Sequence, residues 1–213
     1  MRTIASIALK HGSAAVRFTA MDTVRMADAG DAAAIAAIYA PSVSGPISFE
    51  LEAPTVDEMA ARIAAVLAHA PWLVLERDGA VVGYAYGARH RERAAYRWSV
   101  DTSVYIDAAH HRTGVGRALY RALLELLRLQ GFYVAHAGVT LPHPASVGLH
   151  EALGFEPVGV YRDVGWKQGA WRDVGWWRLA LRAPDGAPAP PRTPAEMAGH
   201  PAWTAILAPG AVA

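Results

Sequence analysis

The stretch Val104-Tyr-Ile-Asp-Ala-Ala-His-His-Arg-Thr-Gly-Val-Gly-Arg117 runs from an apolar segment through a glycine-rich turn into an amphipathic one. Such a turn leaves the first backbone N–H groups of the following helix unpaired and facing outward, at the positive end of the helix dipole. A pyrophosphate fits there. Gly114 and Gly116 let the backbone approach it, and Arg112 and Arg117 add charge-assisted donors. The same Gly-x-Gly also serves as plain helix entry. It lacks the Gly-Lys-Ser/Thr ending of a Walker loop, and it lacks the third glycine and the early position of a dinucleotide fingerprint.

Other constellations lead nowhere. His150-Glu151 begins a zincin-like pattern, but Gly154 stands where the second histidine belongs. His136, His143 and His150 are evenly spaced, yet Pro142 and Pro144 keep them off one helix, so no metal site is expected. No Gly-x-Ser-x-Gly elbow is present.

The elements that must position these residues follow from pattern. Residues 21–26 read as a short strand. Asp28 or Asp31 then caps an alanine-rich helix with Ala32, Ile35, Ala36 and Tyr39 on one face, ended by Pro41. Thr55-Val-Asp-Glu58 is a capping box opening a second helix, with Met59, Ile63, Val66 and Leu67 at core spacing. Residues 72–76 and 80–86 form a hairpin around Asp78-Gly79, and 96–106 a longer strand. A helix with Leu119, Leu123 and Leu127 on one face stops at Gly131. A strand over 132–140, a helix over 145–153, and strands over 155–160 and 171–181 complete the order. The pentapeptide Arg-Asp-Val-Gly-Trp occurs at 162–166 and 172–176, flanking a hairpin whose turn includes Lys167, Gln168 and Gly169. The pattern predicts a mixed α/β sheet with helices on both faces. Residues 1–20 read as a disordered extension and 21–183 as the domain. Residues 184–213, with five prolines at their start, read as an extended or disordered tail.

Composition narrows the class. The chain has 213 residues with a formal net charge of +1, so neither a nucleic acid nor a membrane is expected as partner. No run of about 20 apolar residues could span a bilayer. The absence of cysteine removes disulfides, thiolate metal sites and a thiol nucleophile, and suits a cytoplasmic protein. Arg2, Lys10 and Arg17 flank the stretch Ile4–Leu9, which Ser6 breaks and which is too short for a signal core; a start at Met21 is the other reading.

His111-Arg-Thr-Gly-Val-Gly resembles the acetyl-CoA loop of the GNAT acetyltransferases, with histidine in first place, and Leu149-His-Glu-Ala-Leu-Gly-Phe155 resembles a second segment of that superfamily. Pro71-Trp-Leu-Val, Ala95-Tyr-Arg-Trp, Ser103-Val-Tyr-Ile, Arg112-Thr-Gly-Val-Gly, Ser146-Val with His150-Glu-Ala-Leu-Gly-Phe, and Trp171-Arg-Asp-Val-Gly-Trp are together similar to one branch. That branch is the phosphinothricin and methionine sulfone/sulfoximine N-acetyltransferases, and the match covers roughly residues 24–181.

The resemblance implies a mostly antiparallel GNAT sheet splayed at its central parallel strand pair. It implies acetyl transfer from acetyl-CoA to the amine of a small amino acid or analogue. Acetylation of a protein N-terminus or another amine, and a non-catalytic acyl-CoA sensor, stand as alternatives. The pantetheine arm would pair with Val104, Tyr105 and Ile106, and the pyrophosphate would lie on Arg112, Thr113, Gly114, Val115, Gly116 and Arg117, with Ser146 nearby. A strand N–H would polarise the thioester carbonyl. His143 replaces a cofactor-touching asparagine, which puts that contact in doubt. Asp101 stands where the branch has an acidic residue proposed as base, here one methylene short, so it acts as base, through a water, or holds the substrate ammonium. His150 stands where many relatives have a thiolate-protonating tyrosine; a satisfied helix histidine is the other reading. Arg91, Arg93 and Tyr96 match a carboxylate-holding segment, though Arg89-His-Arg-Glu-Arg93 also reads as a solvated basic loop. Phe49 and Glu50 fall on the substrate side, Trp166, Trp171, Trp176 and Trp177 wall the pocket or a dimer contact or fill the core, and a homodimer is expected.

Overall fold

The structure, a computed structural model, describes residues 22–208; the expectation for residues 1–20 lies outside them. Seven strands form one sheet: β1 (Thr23–Met26), β2 (Trp72–Arg77), β3 (Ala80–Arg89), β4 (Ser99–Ile106), β5 (Val134–Leu141), β6 (Glu156–Lys167) and β7 (Ala170–Ala180). Their spatial order is β1-β2-β3-β4-β5-β7-β6, and every pair is antiparallel except β4 with β5. A parallel pair needs a crossover, supplied by helix α3 (Val115–Gln130). Helices α1 (Ala32–Ser44) and α2 (Val56–Leu67) cover the other face, and α4 (Pro144–Ala152) follows β5.

The sheet is buried on both sides because its central strands are apolar on both. Along β2, Leu73 and Leu75 pack with α3 in one core, while Trp72 and Val74 pack with α1 and α2 in the other. Leu119, Leu123 and Leu127 are fully buried, as their spacing predicts. The capping box forms as read: the Thr55 hydroxyl accepts from Glu58 N–H at 3.2 Å, and the Glu58 carboxylate accepts from Thr55 N–H at 2.8 Å. Asp78 and Gly79 both have positive φ, 51° and 77°, the geometry of the tight hairpin predicted there. Gly131, at φ 106°, ends α3.

Four expectations change. Pro41 lies inside α1 rather than ending it; it is exposed, and buried Val43 anchors the turn beyond it. The strand predicted over 96–106 starts at Ser99, after a 3₁₀ turn at Ala94–Tyr96, and the strand predicted over 155–160 runs on to Lys167, so both pentapeptides lie on strands. The tail is docked. Helices α5 (Pro194–Met197) and α6 (Pro201–Ile206) lie along α3, burying Met197 and Trp203. The proline-rich link is tied down where Gln130 donates to Arg192 O at 2.6 Å and the Trp98 indole to Ala189 O at 2.8 Å.

Candidate active site

Strands β4 and β5 pair only from Ser99 with Val134 to Asp101 with His136. At the next residue the Thr102 hydroxyl donates to His136 O at 3.0 Å, taking up the carbonyl where the ladder stops. Beyond it Val104, Tyr105 and Ile106 have no strand partner on the β5 side, so this rim of β4 is open to an extended ligand, except at the Ile106 carbonyl, which lies 3.0 Å from His111 Nε2. Where β4 ends, the chain turns into α3. Gly114 takes φ 92° and caps α3 without a side-chain bond, leaving the N–H groups of Val115, Gly116 and Arg117 as the unpaired donors of a helix start. Arg112, at φ 61°, is exposed. The Thr113 hydroxyl is turned inward, donating to His110 O at 2.7 Å. Gly116 is small for packing as well as for approach: an added Cβ would meet Ile106 Cδ1 at 2.8 Å. Arg117 borders an open groove with Arg121 and Arg128 on the outer side of α3. A free rim of strand beside a helix N-terminus carrying arginine fits a long thioester ending in a pyrophosphate.

Asp101 faces the α1–α2 side of β4. Its Oδ1 lies 2.6 Å from His90 Nδ1. Burial pushes its carboxyl up, and the adjacent His90 ring, with Arg91 beyond it, works against that. His90 in turn stacks on His136, with ring centroids 4.3 Å apart and planes 15° apart. Burial, helped by His90, Arg178 and Arg91, pushes the His136 ring down to about 4, so it stays neutral at physiological pH. Tyr96 meets His90 edge-on at 5.9 Å and the Trp176 indole does so at 6.4 Å. The Trp176 ring lies against Gly138, where an added Cβ would meet it at 3.3–3.4 Å, and the Arg91 guanidinium sits 6.0 Å from that ring. His90 and Trp176 thus link Asp101, Tyr96 and Arg91 in one neighbourhood. Arg93 is exposed on the same loop.

The remaining predicted residues sit elsewhere. His150 is 3% exposed, and both its ring nitrogens are occupied, Nδ1 at 2.7 Å from Ser146 O and Nε2 at 2.9 Å from the Tyr120 hydroxyl. Tyr120 is also bonded to Thr102, which points to the opposite face of β4 from Asp101. Asp101 and His150 thus lie on different sides of the sheet, and His150 has the bonding of a satisfied helix histidine. His143 caps α4, its Nδ1 accepting from Ser146 N–H at 3.1 Å.

Glu50 is likewise engaged, by Arg62 at 2.7 and 3.0 Å and by the Tyr39 hydroxyl at 3.0 Å. Burial would raise its carboxyl, but these partners hold it below its ordinary value. The buried Lys167 ammonium bonds Val43 O and Glu50 O, fixing the segment that rests Phe49 on Gly165 of β6. Trp177 belongs to the core, whereas Trp166 and Trp171 are exposed at the hairpin end.

Sequence reasoning gave His90 no role and set His136 aside with His143 and His150 as an unlikely metal triplet. His90 hid in a charge run, and His136 joins Asp101 only through a parallel register that no local signal encodes. Ligand atoms of His90, Asp101 and His136 lie within 4.8 Å of one another. Near-parallel stacked rings do not aim two imidazole lone pairs at one ion, so the arrangement favours proton chemistry.

The acetyltransferase (GNAT) domain profile matches residues 24–176. The chain is 38% identical over 170 residues to the phosphinothricin N-acetyltransferase of Streptomyces viridochromogenes, covering 79% of this chain and 91% of that protein. It is 36% identical over 168 residues to the L-methionine sulfoximine/L-methionine sulfone acetyltransferase of Salmonella typhimurium, covering 76% and 98%. A phosphinothricin acetyltransferase from Sinorhizobium meliloti, solved in complex with acetyl-CoA, superposes with a TM-score of 0.75 at 34% identity, over 79% of this chain and 94% of that one.

Proposed function

Because the chain belongs to the GNAT acetyltransferase family and is an acetyl-CoA-dependent N-acetyltransferase, we propose that its acceptor is the amine of a small amino acid or analogue. Phosphinothricin, methionine sulfone and methionine sulfoximine, the acceptors named for its relatives, are the first candidates. The observation that carries this reading is the setting of Asp101, bonded to His90 at the point where β4 and β5 part, with the Arg91 guanidinium 6.0 Å from the Trp176 ring that borders the same histidine. A guanidinium there suits the carboxylate of an amino acid, and an acid–base group beside it suits its ammonium.

The remaining assignments follow from the same frame. The β4 rim at Val104, Tyr105 and Ile106 would pair with the pantetheine arm. The Arg112–Arg117 turn would hold the pyrophosphate at the N-terminus of α3. A free N–H of β4 would polarise the thioester carbonyl. Phe49, resting on Gly165, would close the acceptor side. The active species is a cytoplasmic homodimer. Its interface is supported by the outer strand β6 and the hairpin end, which expose Val158, Val160, Tyr161, Val164, Trp166 and Trp171 along an unpaired edge.

The test is release of free CoA from acetyl-CoA, read by thiol titration, across phosphinothricin, methionine sulfone, methionine sulfoximine, common amino acids, polyamines and short peptides. Fast release with the first three is the expected result. Release with peptides or polyamines alone would refute the acceptor assignment while leaving the chemistry. Silence throughout, with acetyl-CoA still bound, would favour a sensor.

A further inference from the structure

We propose that His90, through its Nε2, removes the proton from the acceptor ammonium, and that Asp101 is the carboxylate that orients it. This rests on the acceptor reading above and changes the atom that takes the proton. The 2.6 Å contact joins Asp101 Oδ1 to Nδ1 of the ring. An ionised carboxylate only accepts, so the shared proton sits on Nδ1 and Nε2 keeps its lone pair. Nε2 makes no hydrogen bond among the described residues. Asp101 is one methylene short of a glutamate and is already engaged by His90, whereas the ring carries the basic atom farther from β4. Tyr96 and Trp176 border the ring edge-on and His136 lies against its face, so its orientation is held from three sides. A neutral His136 ring beneath it is a π-face on which a positive charge at His90 can rest.

The step balances as follows. The acceptor R–NH3⁺ gives one proton to Nε2, and His90 becomes imidazolium, paired with Asp101. The freed amine pair forms the C–N bond at the thioester carbonyl carbon, and the carbonyl π pair moves to oxygen. Return of that pair breaks the C–S bond, with its electrons leaving on sulfur. The surplus nitrogen proton passes to that thiolate, giving CoA-SH, and His90 returns its proton to solvent. The net change is R–NH3⁺ plus acetyl-CoA to R–NH–acetyl, CoA-SH and H⁺.

The groups facing His90 are Asp101 on β4, His136 on β5, Arg91 and Tyr96 on its own loop, and Trp176 on β7, with Arg178 of β7 acting on His136. In the test, kcat and KM for the acceptor are measured against pH in the wild type, His90→Gly, His90→Asn, Asp101→Asn and His136→Phe, alongside calorimetric binding of acetyl-CoA. His90→Asn keeps a donor toward Asp101 but no base, which guards against a folding defect. Both His90 variants should lose about 10²–10⁴-fold in kcat with acetyl-CoA affinity within about twofold. Added imidazole should restore His90→Gly and not Asp101→Asn. The wild-type acid limb of the pH profile should vanish in His90→Gly and return, with imidazole, at imidazole's own ionisation.

Near-normal kcat in His90→Asn beside a large loss in Asp101→Asn would overturn the proposal and return the proton to Asp101, with the acceptor reading intact. Tight Zn²⁺ binding abolished by His136→Phe would overturn it in favour of a metal site. No CoA release by the wild type with any amine would remove the acceptor reading and the proposal together.

Discussion

At the scale of single residues, burial decides which groups titrate where. His69, His136 and His150 are all depressed by burial, and His136 lies near 4. Each is neutral in the folded protein, while in the unfolded chain each takes up a proton near pH 6.5. The unfolded state therefore binds more protons as the pH falls below that value. The stability these rings contribute is complete above about pH 6.5 and is lost as the pH falls below it, for His136 down to about pH 4. Asp101, raised by burial, works in the opposite direction, so a variant must isolate the histidine share. His136→Phe keeps an aromatic ring against His90 and should reduce the fall in Tm between pH 7 and 5 by roughly 2–4 °C, the shift about 1 kcal/mol produces in a chain of this size. An unchanged fall, read by thermal denaturation, would mean that His136 ionises freely in the fold.

At the scale of elements, the C-terminal segment shows how a local signal can be outweighed. Five prolines point to a tail without structure, yet Thr193-Pro-Ala-Glu196 is a capping box with proline at the first helical position, where proline is favoured. The Thr193 hydroxyl accepts from Glu196 N–H at 3.3 Å, and the carboxylate accepts from Thr193 N–H at 2.6 Å. Helices of four and six residues do not hold alone in water; burial of Met197 and Trp203 beside α3 stabilises them. Trp203→Ala should cost about 3–5 kcal/mol, seen as a lower urea midpoint with an unchanged folded-state spectrum. A loss below about 1 kcal/mol would mean that the segment is not docked in solution.

At the scale of the whole molecule, the outer strand β6 is the feature one chain leaves unfinished. Among the described residues it pairs only with β7, and Tyr161 on it packs against Trp176 beside His90. A second copy covering β6 would also shield that side of the acceptor pocket. The full chain should sediment at twice its own mass. Val160→Asp with Trp166→Ser should shift it to a single chain and raise KM for the acceptor more than for acetyl-CoA. A wild type that sediments as one chain at micromolar concentration would remove the dimer.

What the sequence alone determined is local. Helix α3, the Thr55 capping box, the Asp78-Gly79 turn and the glycine-rich entry to α3 each depend on neighbours within four residues, and each stands as read. The motifs along residues 24–181 carried the family, and with it the mostly antiparallel sheet and its parallel pair. The tertiary structure decided what depends on register. Placing Asp101 opposite His136 brings together residues 35 positions apart, and His90, just past the end of β3, reaches Asp101 at 2.6 Å. The alternation of β4 also decides that Asp101 and Thr102 look to opposite faces, which puts His150 in the core on the other side of the sheet from Asp101. A strand's pairing is set by where its apolar faces come to rest against distant helices, and that information is spread across the whole chain rather than held in any one stretch of it.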